Sequence, residues 1–124
     1  MAQDIVSDAL NQMMNAKKAG KESVELKRHS KVLLSILAIG KLRGYIKGYS
    51  VKDNSVSVEF GRLNFCKSVK PRYLVKARDI EKYVRRYLPA RGMGVILVST
   101  SQGLMTHQTA QEKNLGGSII AYFY

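Results

Sequence analysis

The sequence predicts an α+β fold of two small subdomains, a helix-strand-helix-strand-strand unit over residues 1–62 and a β-rich unit with short helices over residues 63–124. Three observations carry this. Apolar residues recur at helical spacing in the first half and again near residue 80. Period-two alternation marks strands between and after those helices. Near Gly61 the chain turns basic and turn-rich before the pattern resumes, which places the subdomain junction there.

Asp4 is placed to cap a first helix whose Val6, Leu10, Met13 and Met14 share one face. Lys17 and Lys18 bring positive charge to its C-terminal end, and Gly20 closes it. Ser23 to Arg28 sets Val24 and Leu26 against Ser23, Glu25 and Lys27, as a half-buried strand does. Ser30 caps a second helix from Lys31 to about Leu42. Its Val32, Leu33, Leu34, Ile36, Leu37 and Ile39 leave little polar face, which predicts a central position, and Gly44 is its stop. Tyr45 to Val51 and Ser55 to Phe60 form a predicted hairpin around Asp53-Asn54, two residues that tolerate the turn's backbone angles.

Residues 61–77 read as basic and turn-like, with Tyr73 to Val75 a short strand. Asp79 to Leu88 is a third helix. Ile80, Tyr83, Val84, Tyr87 and Leu88 repeat on its core face, Glu81, Lys82, Arg85 and Arg86 face water, and Pro89 ends it. The continuous apolar run Gly94 to Val98 predicts a strand buried on both faces. Ser99 to Gly103 is a turn, Thr106 to Asn114 a short helix, Gly116-Gly117 a second turn and Ser118 to Tyr124 the last strand.

Charge is the first functional clue. The chain carries 21 Lys and Arg against 9 Asp and Glu, a net charge of +12 with a pI near 10. Residues 17–91 hold 20 of the basic residues and only 6 of the acidic ones, while residues 92–124 are neutral. A basic middle of this strength is an electrostatic footprint for a polyanion, nucleic acid or an anionic membrane. The neutral last third recognises its target by some means other than bulk charge. No apolar run approaches the roughly 20 residues that span a bilayer. A membrane-surface module needs exposed apolar residues on a basic helix, and the third helix uses its apolar face for the core. The N-terminal residues lack a secretory pattern, and the single cysteine, Cys66, has no partner for an internal disulfide. Both point to a reducing cytoplasm.

No catalytic constellation is present in the sequence. His29 and His107 have no neighbouring ligand set, and metal-ligand spacings are absent. Gly92-Met93-Gly94 precedes a strand, whereas a phosphate-binding loop sits between a strand and a helix. The sharpest feature is Ser99-Thr100-Ser101-Gln102-Gly103. Three hydroxyls at the end of a buried strand sit on a rigid base, and Gly103 lets backbone come close to a ligand. Uncharged hydroxyls and amides suit base edges and ribose 2′-hydroxyls in an RNA minor groove. The same run also fits an ordinary polar turn, and chemistry alone does not choose between them. Lys17-Lys18, Lys27-Arg28, Lys31 and the stretch from Lys67 to Arg78, with Lys70, Arg72 and Lys76, suit phosphates. Tyr73, Tyr83 and Tyr87 offer stacking faces, although helical spacing assigns the last two to the core.

The segment Gly94-Val-Ile-Leu-Val-Ser-Thr-Ser-Gln-Gly-Leu-Met-Thr-His-Gln-Thr-Ala110, followed by Gly116-Gly117, resembles the signature of ribosomal protein family eight of the small subunit. The apolar strand, the Ser-Thr-Ser turn, the Gly-Leu-Met step, the short helix and the paired glycines come in that family's order. Asp4, Asn15-Ala16, Ser30-Lys31 and Gly44-Tyr45-Ile46 agree more loosely, so the resemblance covers essentially the whole chain. Lys70-Pro71-Arg72-Tyr73, Val75 to Asp79 and Leu88-Pro89-Ala90 look like its archaeal-type branch, although the hairpin is shorter than that branch implies.

The resemblance implies an α+β structural protein, not an enzyme and without a cofactor, small-molecule substrate or membrane. It further implies direct binding to the central domain of small-subunit ribosomal RNA, early in assembly and beside neighbouring ribosomal proteins. Ser99, Thr100, Ser101 and the following Gln102 and Gly103 would contact the RNA minor groove, and Ser30 and Lys31 would contact it from the first half. A family contact through a charged residue after the paired glycines has no counterpart at Ser118. The rival readings are a small nucleic-acid-acting enzyme using Cys66 or a histidine, and a general basic RNA-binding protein.

Overall fold

The computed structural model describes residues 5–89 and 93–124, and the side chains of these except at 70–73. Asp4, expected as a cap, lies outside the described residues, and so do the side chains of Lys70, Arg72 and Tyr73. The chain divides into two compact units, one up to Lys67 and one from Ser68 to Tyr124.

The first unit lays two helices on an antiparallel three-stranded sheet. Its elements are α1 (Ile5–Lys18), β1 (Ser23–Leu26), α2 (Lys31–Leu42), β2 (Ile46–Lys52) and β3 (Ser55–Phe60), with sheet order β1-β3-β2. Leu26 pairs with Val56 and Ile46 with Phe60, so the apolar sides of the strands face one way. Val6, Leu10 and Met13 of α1 and Leu33, Ile36 and Leu37 of α2 complete the core. Gly20 takes the left-handed conformation at φ +80, and the Lys21 N–H closes α1 by donating to the Ala16 carbonyl at 3.0 Å. Asp53 takes φ +55 in the hairpin turn.

Two expectations change here. The central position expected of α2 does not hold, because Val32 and Leu42 stand 42% and 85% exposed. One face packs on the sheet, and the apolar residues of the other are simply left outside. Leu63 and Cys66, read from sequence as part of the second subdomain, lie in the first unit, where the Cys66 thiol donates to the Leu10 carbonyl at 3.8 Å.

The sheet of the second unit has the order β4-β7-β5-β6, with β4 (Cys66–Val75), whose first two residues still belong to the first unit, β5 (Val95–Thr100), β6 (Gly103–Thr106) and β7 (Gly117–Phe123). A 3-10 turn (Ala77–Asp79) leads into α3 (Ile80–Tyr87), and α4 (His107–Glu112) follows β6. Leu88 ends α3 in an extended conformation, as the residue before a proline must. Ile80, Val84 and Leu88 pack with Ile96, Val98, Met105 and Ile119 in one core. Val95 to Val98 are fully buried, as their continuous apolar run predicts. The turn-like stretch expected before Tyr73 is instead strand from Cys66 onward. β4 is an edge strand, and edges are where proline and lysine are tolerated within a sheet.

Candidate nucleic-acid interface

β5 and β6 form a tight hairpin. Ser99 pairs with Leu104 and Thr100 with Gly103, so Ser99 and Thr100 still belong to the strand and only Ser101 and Gln102 make the turn. Gly103 opens β6 at φ +110, a conformation that favours glycine. The Thr100 hydroxyl donates to the Gly103 carbonyl at 2.9 Å and accepts from the Gln102 N–H at 3.1 Å. It therefore braces the turn. Ser99, Ser101, Gln102 and Gly103 are exposed, and the Ser99 and Ser101 hydroxyls have no partner among the described residues. The three hydroxyls of the run thus divide into one support and two outward groups.

The paired glycines hold this hairpin in place. A Cβ on Gly117 would strike the Ser99 carbonyl oxygen, and one on Gly116 would lie 2.5 Å from the Val75 carbonyl oxygen. Only backbone without side chains fits between the end of β4 and the end of β5. Two consequences are invisible along the linear chain. Ser118 sits directly opposite Ser99 in the β5–β7 ladder, on the same face, which adds a third hydroxyl beside the two outward ones. An open cleft also forms, lined by Val75, Lys76, Ala77, Arg78, Asn114 and Gly116. It brings Lys76 to the glycine pair that touches the hairpin and adds Arg78 and Asn114. The paired glycines are the only sequence signal that could have found these neighbours.

In the first unit Ser30 caps α2, its hydroxyl accepting from the Leu33 N–H at 3.2 Å. Such a cap stabilises a helix by about 1 kcal/mol. The hydroxyl hydrogen is left to donate. Lys31 follows, exposed, at the positive end of the helix dipole. The His29 ring Nε2 donates to the Asp53 carbonyl at 3.2 Å, tying the loop before α2 to the β2–β3 turn. Arg28 pairs with Asp8 at 3.3 Å, with both side chains about half exposed. Surface pairs of this kind stabilise little.

Residues 4–124 match the family model described as Ribosomal protein S8. The chain belongs to that family. It is similar to the small ribosomal subunit proteins uS8my and uS8mz of Arabidopsis thaliana, each 41% identical over the full length of both chains. It is also similar to uS8A of Schizosaccharomyces pombe, 38% identical over 98% of both. Membership in the ribosomal protein S8 family bears out the resemblance read from the Ser-Thr-Ser turn and the paired glycines. It places the chain among ribosomal proteins and not among enzymes.

The residues an enzyme would have used have structural work in this S8 family member. His107 is buried, and its Nδ1 accepts from the Ile96 N–H at 3.1 Å, which joins α4 to β5. Burial pushes the Cys66 thiol up from its ordinary value of 9.0 to about 12. At neutral pH it carries no thiolate and has no nucleophile to offer. Because the folded value is raised, this thiol's contribution to stability is complete below pH 9 and is lost as pH rises towards 12. A disulfide reagent at pH 8 is expected to leave native Cys66 unmodified and to label it at once in denaturant. Fast labelling of the native protein would contradict its burial.

Proposed function

We propose that this chain is a structural constituent of the small ribosomal subunit that binds the central domain of its RNA directly and helps that domain assemble in the cytoplasm. The observation that carries the proposal is the braced hairpin, with Ser99 and Ser101 outward and Thr100 committed to the turn. A fixed pair of neutral hydroxyls suits ribose 2′-hydroxyls and base edges in a minor groove, where donor and acceptor positions discriminate and charge does not. Gly103 lets the backbone come close, and Gln102 adds an amide at the tip. Phosphates fall to Lys31 and Ser30 at the start of α2 and to Lys76 beside the glycine pair. Lys70 and Arg72 join them on sequence grounds. Related proteins named as small-subunit components support the setting.

The division of labour has a direct test. Lys31→Gln with Lys76→Gln should weaken binding to a central-domain fragment and flatten its salt dependence, by ~0.7–0.9 in the log-log slope for each phosphate no longer neutralised. An unchanged slope would take both lysines out of the interface.

A further inference from the structure

We propose that α3 and the end of β7 form a second RNA surface, a strip of tyrosines that takes unpaired nucleotides. The proposal goes beyond the hairpin and depends only on RNA being the partner. Tyr83, Tyr87, Tyr122 and Tyr124 form one run of near-parallel rings, with centroids 6.3, 5.0 and 6.4 Å apart and planes within 28°. All four are partly buried, packed with one side against the core of the second unit and leaving the rest at the surface. Helical spacing assigns Tyr83 and Tyr87 to the core, and both do pack against it beside the buried Ile80 and Val84, yet neither is fully buried.

Charge selects the occupant. Lys82 and Arg86 lie on the flank of α3 next to the rings and are exposed, and the Arg86 guanidinium stands 5.6 Å from the Tyr87 ring centroid. Aromatic steps edged by cations are how single-stranded nucleic acid is held, with bases on ring faces and phosphates on the cations. The strip is also separate from the hairpin. β7 enters beside Ser99 and leaves beside Val95, so the two surfaces lie at opposite ends of the strand, about 20 Å apart. One unit would then hold a shaped duplex at one end and a looped-out strand at the other.

The test uses the full chain and two labelled probes, an oligouridine and an oligoadenosine of about twelve nucleotides, with binding read by anisotropy. Tyr83→Leu with Tyr124→Leu keeps apolar volume and removes two ring faces. It should weaken binding about ten-fold or more, since base stacking on an aromatic ring is worth roughly 1–3 kcal/mol per base. Lys82→Gln with Arg86→Gln changes only exposed side chains, so it gives a second reading on an intact fold and should also weaken the oligonucleotides. Ser99→Ala with Ser101→Ala should leave them unchanged. No affinity for either probe, or affinity that both strip variants retain, overturns the proposal. So does equal loss in the serine variant, which would mean a single site. Failure of the hairpin reading is seen separately, in duplex fragment binding.

Discussion

Ser99→Ala with Ser101→Ala is expected to weaken binding to a central-domain RNA fragment by roughly 5- to 150-fold, with an unchanged salt slope. The range follows from losing two hydrogen bonds of roughly 0.5–1.5 kcal/mol each. Neither hydroxyl bonds to another described residue, so their removal leaves the fold intact and the melting temperature within a degree or so. Thr100→Ala should behave differently. Its hydroxyl makes two bonds inside the turn, so the loss registers as a looser hairpin and a lower melting temperature together with weaker binding. The contrast between a silent pair and a structural middle residue follows from the register of β5. Equal melting losses in the double serine variant and in Thr100→Ala would contradict that assignment.

Gly117→Ala is expected to have the largest effect on stability. The added methyl would meet the Ser99 carbonyl oxygen, with Ser99 C at 2.8 Å and Thr100 Cα at 3.1 Å. These are backbone atoms of a central strand and cannot swing aside as a side chain would. The start of β7 must lift away from β5, which opens the Ser99–Ser118 pair and displaces the hairpin. A cost of about 1–3 kcal/mol or more is expected for overpacking of this kind, seen as a melting temperature lower by several degrees. RNA affinity should fall with it. Gly48→Ala is the control, because a Cβ there meets nothing within 4 Å. If Gly117→Ala melted like Gly48→Ala, the glycine pair would not be what holds the hairpin.

Where local chemistry decides, the fold is readable along the chain. Ser30 before an apolar run, Asp53-Asn54 between alternating segments and Pro89 after Leu88 each act within a few residues, and the corresponding elements begin and end there. β4 is hidden in the sequence because Pro71 and the flanking cations read as a loop. They are tolerated only because the strand lies at a sheet edge, which is a property of the topology. β6 is hidden because Gly103 to Thr106 is four residues long, starts on a glycine and ends on the residue that caps α4. The outward face of α2 cannot be foreseen, since an apolar residue costs little at the surface and leaves no mark in the sequence.

The candidate site divides in the same way. The hydroxyl run is visible as composition, but which hydroxyl points out depends on strand register. Ser118, Arg78 and Asn114 come to the same end of the second unit through the close approach at Gly116 and Gly117, which joins segments far apart in sequence. The tyrosine run depends on α3 and β7 bringing Tyr87 and Tyr122 together, and half its members carry helical spacing that assigns them to the core.

The most direct test is binding to a fragment of the small-subunit RNA central domain and to a generic duplex of equal length, across a salt series. Shape recognition by the braced hairpin predicts an affinity for the fragment that persists at high salt, exceeds that for the duplex, and disappears in Ser99→Ala with Ser101→Ala. Equal and steeply salt-dependent binding to both RNAs would contradict it and leave only a basic protein that holds phosphates.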